Sequence, residues 1–227
     1  MSARVAVIVF PGTNCEFDVR SALQALGASA ELVFHTERSL GGADAVVIPG
    51  GFAHGDYLRT GALARFSPVM NAVAEHAAAG GPVVGICNGF QILTEAALLP
   101  GALQKNAGLK FLCETVPCRV ESARSVLTAR ATVGGELRLP INHFEGAYTC
   151  DPDTLAALRA QDRIVLRYVA NPNGSLDDIA GICNEAGNVV GLMPHPERAS
   201  DLLLGSADGV VLLESLVAAA SARAVAA

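Results

Sequence analysis

Residues 83–93 read Val-Val-Gly-Ile-Cys-Asn-Gly-Phe-Gln-Ile-Leu, and this stretch decides the fold. An apolar run suited to a strand ends at Gly85, and an apolar-periodic helix begins after Asn88. Cys87 stands on the turn between them, with Gly85 and Gly89 two residues to either side. This is the cysteine form of the Gly-x-Ser-x-Gly elbow, a strand-to-helix turn that thrusts a nucleophile outward on strained backbone. Glycines flank it because neighbouring chain approaches too closely there for Cβ atoms. The thiol would lie at a helix N-terminus, whose partial positive charge favours a thiolate. The competing reading is a structural cysteine in a βα turn, since free cysteines are commonly buried.

Outward from the elbow, strand-like runs at Val5–Phe10, Ala30–Phe34 and Ala45–Ile48 join Val83–Ile86. Helical patterns intervene at about 15–26, 65–79 and 88–97. This alternation predicts an α/β fold, a mostly parallel open sheet flanked by helices. Between Leu109 and Asn142 the segments shorten. Leu109–Cys113, Pro117–Glu121 and Glu136–Ile141 read as antiparallel strands, an added hairpin region. Asp153–Ala160 reads as a short helix capped by Asp151 or Asp153. Further strands are expected at Ile164–Val169, Ile179–Cys183 and Val189–Met193, with a turn at Asn171–Ser175. A final helix at about Gly209–Ala222 carries Val210, Leu213 and Val217 toward the sheet. With no repeat or low-complexity linker, residues 1–227 are expected to form a single domain.

Composition narrows the function. The 227 residues are 51% hydrophobic and only 17% charged, which suits a packed globule. A net charge of −6 and no Lys/Arg run argue against a nucleic-acid surface. No stretch approaches the ~20 apolar residues of a membrane span. Val5–Phe10 runs straight into Pro11-Gly12, so it is a first strand and not an export signal. The expected location is therefore cytoplasmic, with all six cysteines reduced. No Cys-x-x-Cys pair occurs. Cys113 and Cys118 with His143 form only a weak metal pattern, and no metal site is expected. Neither a P-loop nor Gly-x-Gly-x-x-Gly is present, so no nucleotide site is expected.

A cysteine nucleophile needs a base and a group to hold that base. Pro194-His195-Pro196-Glu197 offers both. Pro196 pushes His195 into extended backbone, where side chains two apart face one side, so Glu197 can orient the imidazole. His143-Phe144-Glu145 has the same spacing without the proline lock, and His54 is a weaker third candidate. His35 and His76 are expected to be structural. Acyl chemistry also needs oxyanion donors. The Asp44–Ile48 strand runs into Pro49-Gly50-Gly51-Phe52, whose bare N–H groups, with that of Asn88, would form an oxyanion hole. Cys15 is a rival nucleophile on paper, but without flanking glycines it reads as a packing residue at a helix start.

The elbow, the upstream Pro-Gly-Gly and the downstream Pro-His-Pro-Glu together resemble the class I (triad) glutamine amidotransferases. Longer matches narrow this. Val7–Cys15, Pro49–Arg59, Gly85–Glu95, Asn171–Asn184 and Gly191–Arg198 resemble the small glutaminase subunits of phosphoribosylformylglycinamidine synthase. The likeness runs from Ala3 to about Leu216. It departs at Asn142-His-Phe-Glu-Gly146, where Phe144 is unlike the usual pattern, and at residues 122–135. The resemblance implies a flavodoxin-like sheet with Cys87 as nucleophile, His195 as base and Glu197 orienting it. It also places Gly51 or Phe52, Asn88 and Gln91 at the oxyanion and the substrate glutamine. It implies no cofactor on this chain. ATP and magnesium would be used by a large synthetase subunit, with a small accessory subunit in the same complex. Two rivals remain: a stand-alone cysteine hydrolase or DJ-1-like protein, and a non-catalytic regulatory subunit.

Overall fold

The computed structural model describes residues 2–226. Eleven strands and five α-helices follow one another along it. Those that build the parallel half are β1 (Arg4–Val9), α1 (Glu16–Ala25), β2 (Ser29–Phe34), β3 (Ala45–Ile48), α2 (Val69–Ala78), β4 (Val83–Ile86) and α3 (Asn88–Glu95). The rest are β5 (Ala102–Lys105), β6 (Leu112–Val120), β7 (Glu136–His143), β8 (Glu145–Thr149), α4 (Pro152–Ala160), β9 (Ile164–Tyr168), β10 (Ile179–Cys183), β11 (Val189–Leu192) and α5 (Val210–Ala226).

Nine strands form one sheet in the order β2-β1-β3-β4-β11-β10-β9-β6-β7. β2 to β11 in that order are parallel, and every pairing beyond β11 is antiparallel. The fold is thus the expected α/β sheet. Its antiparallel strands continue the main sheet and are not a separate appendage. β3, β4 and β11 are buried along their whole lengths, which is why they read as unbroken apolar runs. α1 and α5 pack together near β1, while α3 lies on β4 and β11.

Three local expectations change. The pattern at 65–79 divides into a 3-10 turn, Ala64–Phe66, and α2. Ser67 is held extended at ψ 141° by the following Pro68. The two strands read on either side of Pro117 are one, β6. Pro117 stays in the ladder because its carbonyl accepts the Val169 N–H at 3.0 Å, and it has no N–H to lose. β5 and β8, a small second sheet, carry too little alternation to be read from sequence. Asp151 caps α4, accepting the Thr154 N–H at 2.9 Å.

Candidate active site

β4 delivers its chain to the centre of the sheet, and the turn into α3 is the elbow. Cys87 holds φ 52° and ψ −105°, a left-handed conformation costly for a side-chain-bearing residue. The glycines explain how the turn closes. A Cβ on Gly85 would lie 2.5 Å from the Gly89 carbonyl oxygen, and one on Gly89 would collide with the Ile48 carbonyl. β11 runs parallel beside β4, pairing Leu192 with Ile86, and the Cys87 N–H donates to the Leu192 carbonyl at 2.7 Å. Pro194–Glu197 leaves β11 directly after this point. The register therefore sets His195 against Cys87 although 108 residues separate them in sequence.

His195 is extended at φ −105°, ψ 88°, as the proline predicts, and its N–H donates to the Pro140 carbonyl at 2.8 Å. Glu197 is not on extended chain. It lies in a 3-10 turn, Pro196–Ala199, and its Oε1 meets His195 Nδ1 at 2.6 Å. Both residues are buried. Burial pulls the imidazole pKa down, but the Glu197 carboxylate and the Cys87 sulfur outweigh it and hold it well above the ordinary value. His195 Nε2 makes no hydrogen bond, which leaves it available to a reacting group.

The competing histidines are otherwise engaged. His143 Nδ1 is bonded to Asn106 Oδ1 at 3.1 Å. Burial, then the neighbouring His195, lowers its pKa to about 4, so it is a weak base at neutral pH. His54 shares the Ser67 hydroxyl with His35, at 3.3 and 3.2 Å. The Asp56–Arg59 loop, which by sequence alone reads as a substrate-side or partner contact, divides its roles. Asp56 faces the cavity, Tyr57 and Leu58 are exposed, and Arg59 forms a forked pair with Glu95 at 2.6 Å on each branch.

A cavity of about 180 Å³ opens over Cys87, lined by Gly51, Phe52, Asp56, Gln91, His143 and Glu145 among others. One expectation needs correction. The Phe52 N–H is not free for an oxyanion, because it donates to the Gly12 carbonyl at 2.8 Å. The Gly50 carbonyl in turn accepts from Asn14 and Cys15, at 3.1 and 3.2 Å. The loop after β1 thus clamps the Pro-Gly-Gly segment. Gly51 sits where a Cβ would lie 2.7 Å from the Asn14 nitrogen, so the clamp requires glycine. Asn88 offers its N–H from the first turn of α3, where no intrahelical acceptor exists. Its side chain accepts from the Ala53 N–H at 2.9 Å and donates to Gln91 Oε1 at 2.8 Å. Gln91 donates to the Glu145 carbonyl at 2.5 Å, so it braces one cavity wall as well as lining it.

Sequence reasoning pointed to Asp56 only as part of a loop for substrate or partner contact, left Glu145 without a role, and did not join them as the cavity's two carboxylates. It also missed Cys15, whose sulfur approaches His195 and Glu197. Only the Gly-Asp-Tyr and His-Phe-Glu motifs hinted at the first two, and nothing local pointed to the third. Cys113 is exposed while Cys118 is buried, and they do not gather with His143. No described helix is long and apolar enough to cross a membrane.

A sheet-borne cysteine elbow with a His–Glu pair delivered by the neighbouring strand defines a class I glutamine amidotransferase. The family model for the CobB/CobQ-like glutamine amidotransferase domain matches residues 2–207, and the chain belongs to that family. More particularly, it is 56% identical over 217 residues to phosphoribosylformylglycinamidine synthase subunit PurQ of Rubrobacter xylanophilus, covering 96% of this chain and 99% of that one. The PurQ subunit of Synechococcus elongatus is likewise 56% identical, over 94% of this chain and 97% of its own. Among solved structures, a chain of PurLQS from Thermotoga maritima superposes with a TM-score of 0.89 at 41% identity, covering 96% of this chain and 99% of that one.

Proposed function

We propose that this chain is the glutaminase subunit of a phosphoribosylformylglycinamidine synthase. It acts in the cytoplasm and hands ammonia to a large synthetase subunit, with a small accessory subunit in the same assembly. That partner uses ATP and magnesium to make formylglycinamidine ribonucleotide in purine biosynthesis, while this chain needs no cofactor. The observation that carries the reading is the buried His195–Glu197 pair set against an elbow cysteine at the floor of a small cavity.

The chemistry follows from the geometry. Cys87 passes its thiol proton to His195, and the resulting thiolate attacks the side-chain amide carbon of glutamine. The tetrahedral oxyanion is held by the Asn88 N–H and a second donor from the Gly51–Phe52 segment. His195 passes a proton to the departing nitrogen, ammonia leaves, and a glutamyl thioester remains. Water, deprotonated by His195, then cleaves the thioester, releasing glutamate and restoring the thiol. Glu197 fixes the imidazole throughout.

Because Gly12 holds the Phe52 N–H, that donor is withheld until this peptide turns, and partner docking is the event that would turn it. Mixing the chain with its synthetase and ATP should raise glutamine turnover about 10²–10³-fold, the worth of one oxyanion donor, and couple it to amidine formation. Full turnover by the chain alone would refute the gating. Absence of coupling in an assembled complex would refute the assignment.

Asp56 and Glu145 suit the α-ammonium of glutamine. Burial, aided by the Glu145 charge, raises the Asp56 pKa to about 6 despite the Asn88 hydrogen bond. As pH falls through that value Asp56 loses its charge, so the KM for glutamine should rise on acidification. In Asp56→Asn, KM should be raised about tenfold and lose that pH dependence, with kcat little changed. A pH-dependent KM identical to that of wild type would remove Asp56 from this role.

A further inference from the structure

The mechanism leaves one buried thiol unused beside the catalytic pair. Cys15, at the start of α1, is 3% exposed. Its sulfur, one nitrogen of His195 and one carboxylate oxygen of Glu197 all lie within 4.8 Å of one another. Among the described residues this is the one group of three or more such side chains gathered closely enough to hold a metal ion. We propose that these three residues form an inhibitory site for a borderline-soft divalent cation such as Zn²⁺, reached from the side of the molecule away from the substrate.

The donor set is one thiolate, one imidazole and one carboxylate, the mixture zinc takes in tetrahedral sites with a fourth position for water. Bonds of about 2.0–2.3 Å place tetrahedral ligands some 3.3–3.7 Å apart, so the Cys15 sulfur needs to close by no more than about an ångström while the 2.6 Å His195–Glu197 contact opens by a similar amount. A second observation points the same way. Glu197 Oε2, fully buried, has no hydrogen-bond partner, so the carboxylate has a free donor atom as well as the one on His195.

The nearest approach from solvent is a groove of about 760 Å³ that borders Glu197 between α1 and the loop after β11, lined also by Asp18, Asp201 and Arg198, with the Glu197 carboxylate itself shielded behind it. It shares no lining residue with the cavity over Cys87. The charges that face it are the carboxylates of Asp18 and Asp201 against the one guanidinium of Arg198, which favours a cation. That guanidinium is the gate. Arg198 donates to Cys15 Sγ at 3.2 Å and to Asp18 at 3.1 Å, and its side chain is one-third exposed, so it can swing out while keeping Asp18.

The cation would replace the proton shared by His195 Nδ1 and Glu197 Oε1. Metal on Nδ1 leaves the neutral ring's proton on Nε2, which then cannot accept one from Cys87. Glutamine would still enter its cavity, so inhibition should be noncompetitive with it. Binding itself does not depend on the proposed function, and only the inhibition rests on that reading.

The test uses Co²⁺ and Zn²⁺ on the full chain. In Cys87→Ala, where the nucleophile cannot contribute, one Co²⁺ per chain should bind with a thiolate-to-cobalt charge-transfer band, and the band should vanish in Cys87→Ala/Cys15→Ser. X-ray absorption of the Zn²⁺-loaded Cys87→Ala chain should show one sulfur among nitrogen and oxygen ligands, a readout that needs no change at Cys15. In the complex, the Zn²⁺ concentration that halves glutamine-dependent activity should rise at least about tenfold in Cys15→Ser, because loss of a ligand costs no less than loss of a ligand's support. No band in Cys87→Ala, a band that survives removal of Cys15, zinc with no sulfur or several, or inhibition competitive with glutamine would each overturn the proposal.

Discussion

Replacing Cys87 with alanine is expected to abolish glutamine-dependent amidine formation by the reconstituted complex and to spare the reaction fed with free ammonia. The sulfur is the nucleophile that the elbow presents to the cavity, and losing a nucleophile of this kind typically costs about 10⁴–10⁶ in kcat. The substitution is conservative for the fold. Alanine at φ 52° carries the same Cβ as cysteine, and what leaves is a sulfur facing the cavity and the Asn142 carbonyl at 3.6 Å. Assembly should therefore persist. The two substrates are to be compared at saturating ATP, with gel filtration confirming the complex. Loss of both activities in an assembled complex would refute the assignment, because the synthetase needs only ammonia.

Glu197→Gln should come next in size, lowering kcat for glutamine about 10⁴-fold. The carboxylate does two things that an amide of equal shape cannot. It accepts from His195 Nδ1 at 2.6 Å, fixing the tautomer whose Nε2 faces Cys87, and its charge overcomes burial to keep the imidazole pKa high. Glutamine can instead donate its own N–H to Nδ1 and stabilise the wrong tautomer. The pKa of His195, followed by ¹⁵N resonance, should fall on substitution. The stability consequence has a definite sign. A histidine pKa raised in the fold stabilises fully below the unfolded value near 6.5, and that contribution fades as pH climbs through the folded value. The variant should thus lose most stability on the acid side. A kcat within tenfold of wild type would mean that His195 is oriented by something else.

The boundary between legible and illegible runs through particular residues. Gly85 and Gly89 announced the elbow because each is required by atoms a few residues away or on the adjoining strand end. The Asp151 cap, the parallel strands and the bend before Pro196 were legible for the same reason. Where two motifs competed, sequence favoured His195 over His143 only modestly. The structure separates them by contacts neither motif contains: Asn106 and a pKa near 4 on one side, Glu197 on the other. That the Phe52 N–H is held by the Gly12 carbonyl, forty residues earlier in sequence, lay likewise beyond any local motif.

By itself, then, the sequence determined the sheet's central strands, the strained cysteine turn and the His–x–Glu segment, since backbone sterics and short-range capping act between near neighbours. Only the tertiary structure decided that β11 lies against β4, that the loop after β1 clamps Gly50–Phe52, and that Cys15 stands beside His195 and Glu197. These are meetings of segments up to 182 residues apart, fixed by strand order and register, which no local pattern of residue types encodes.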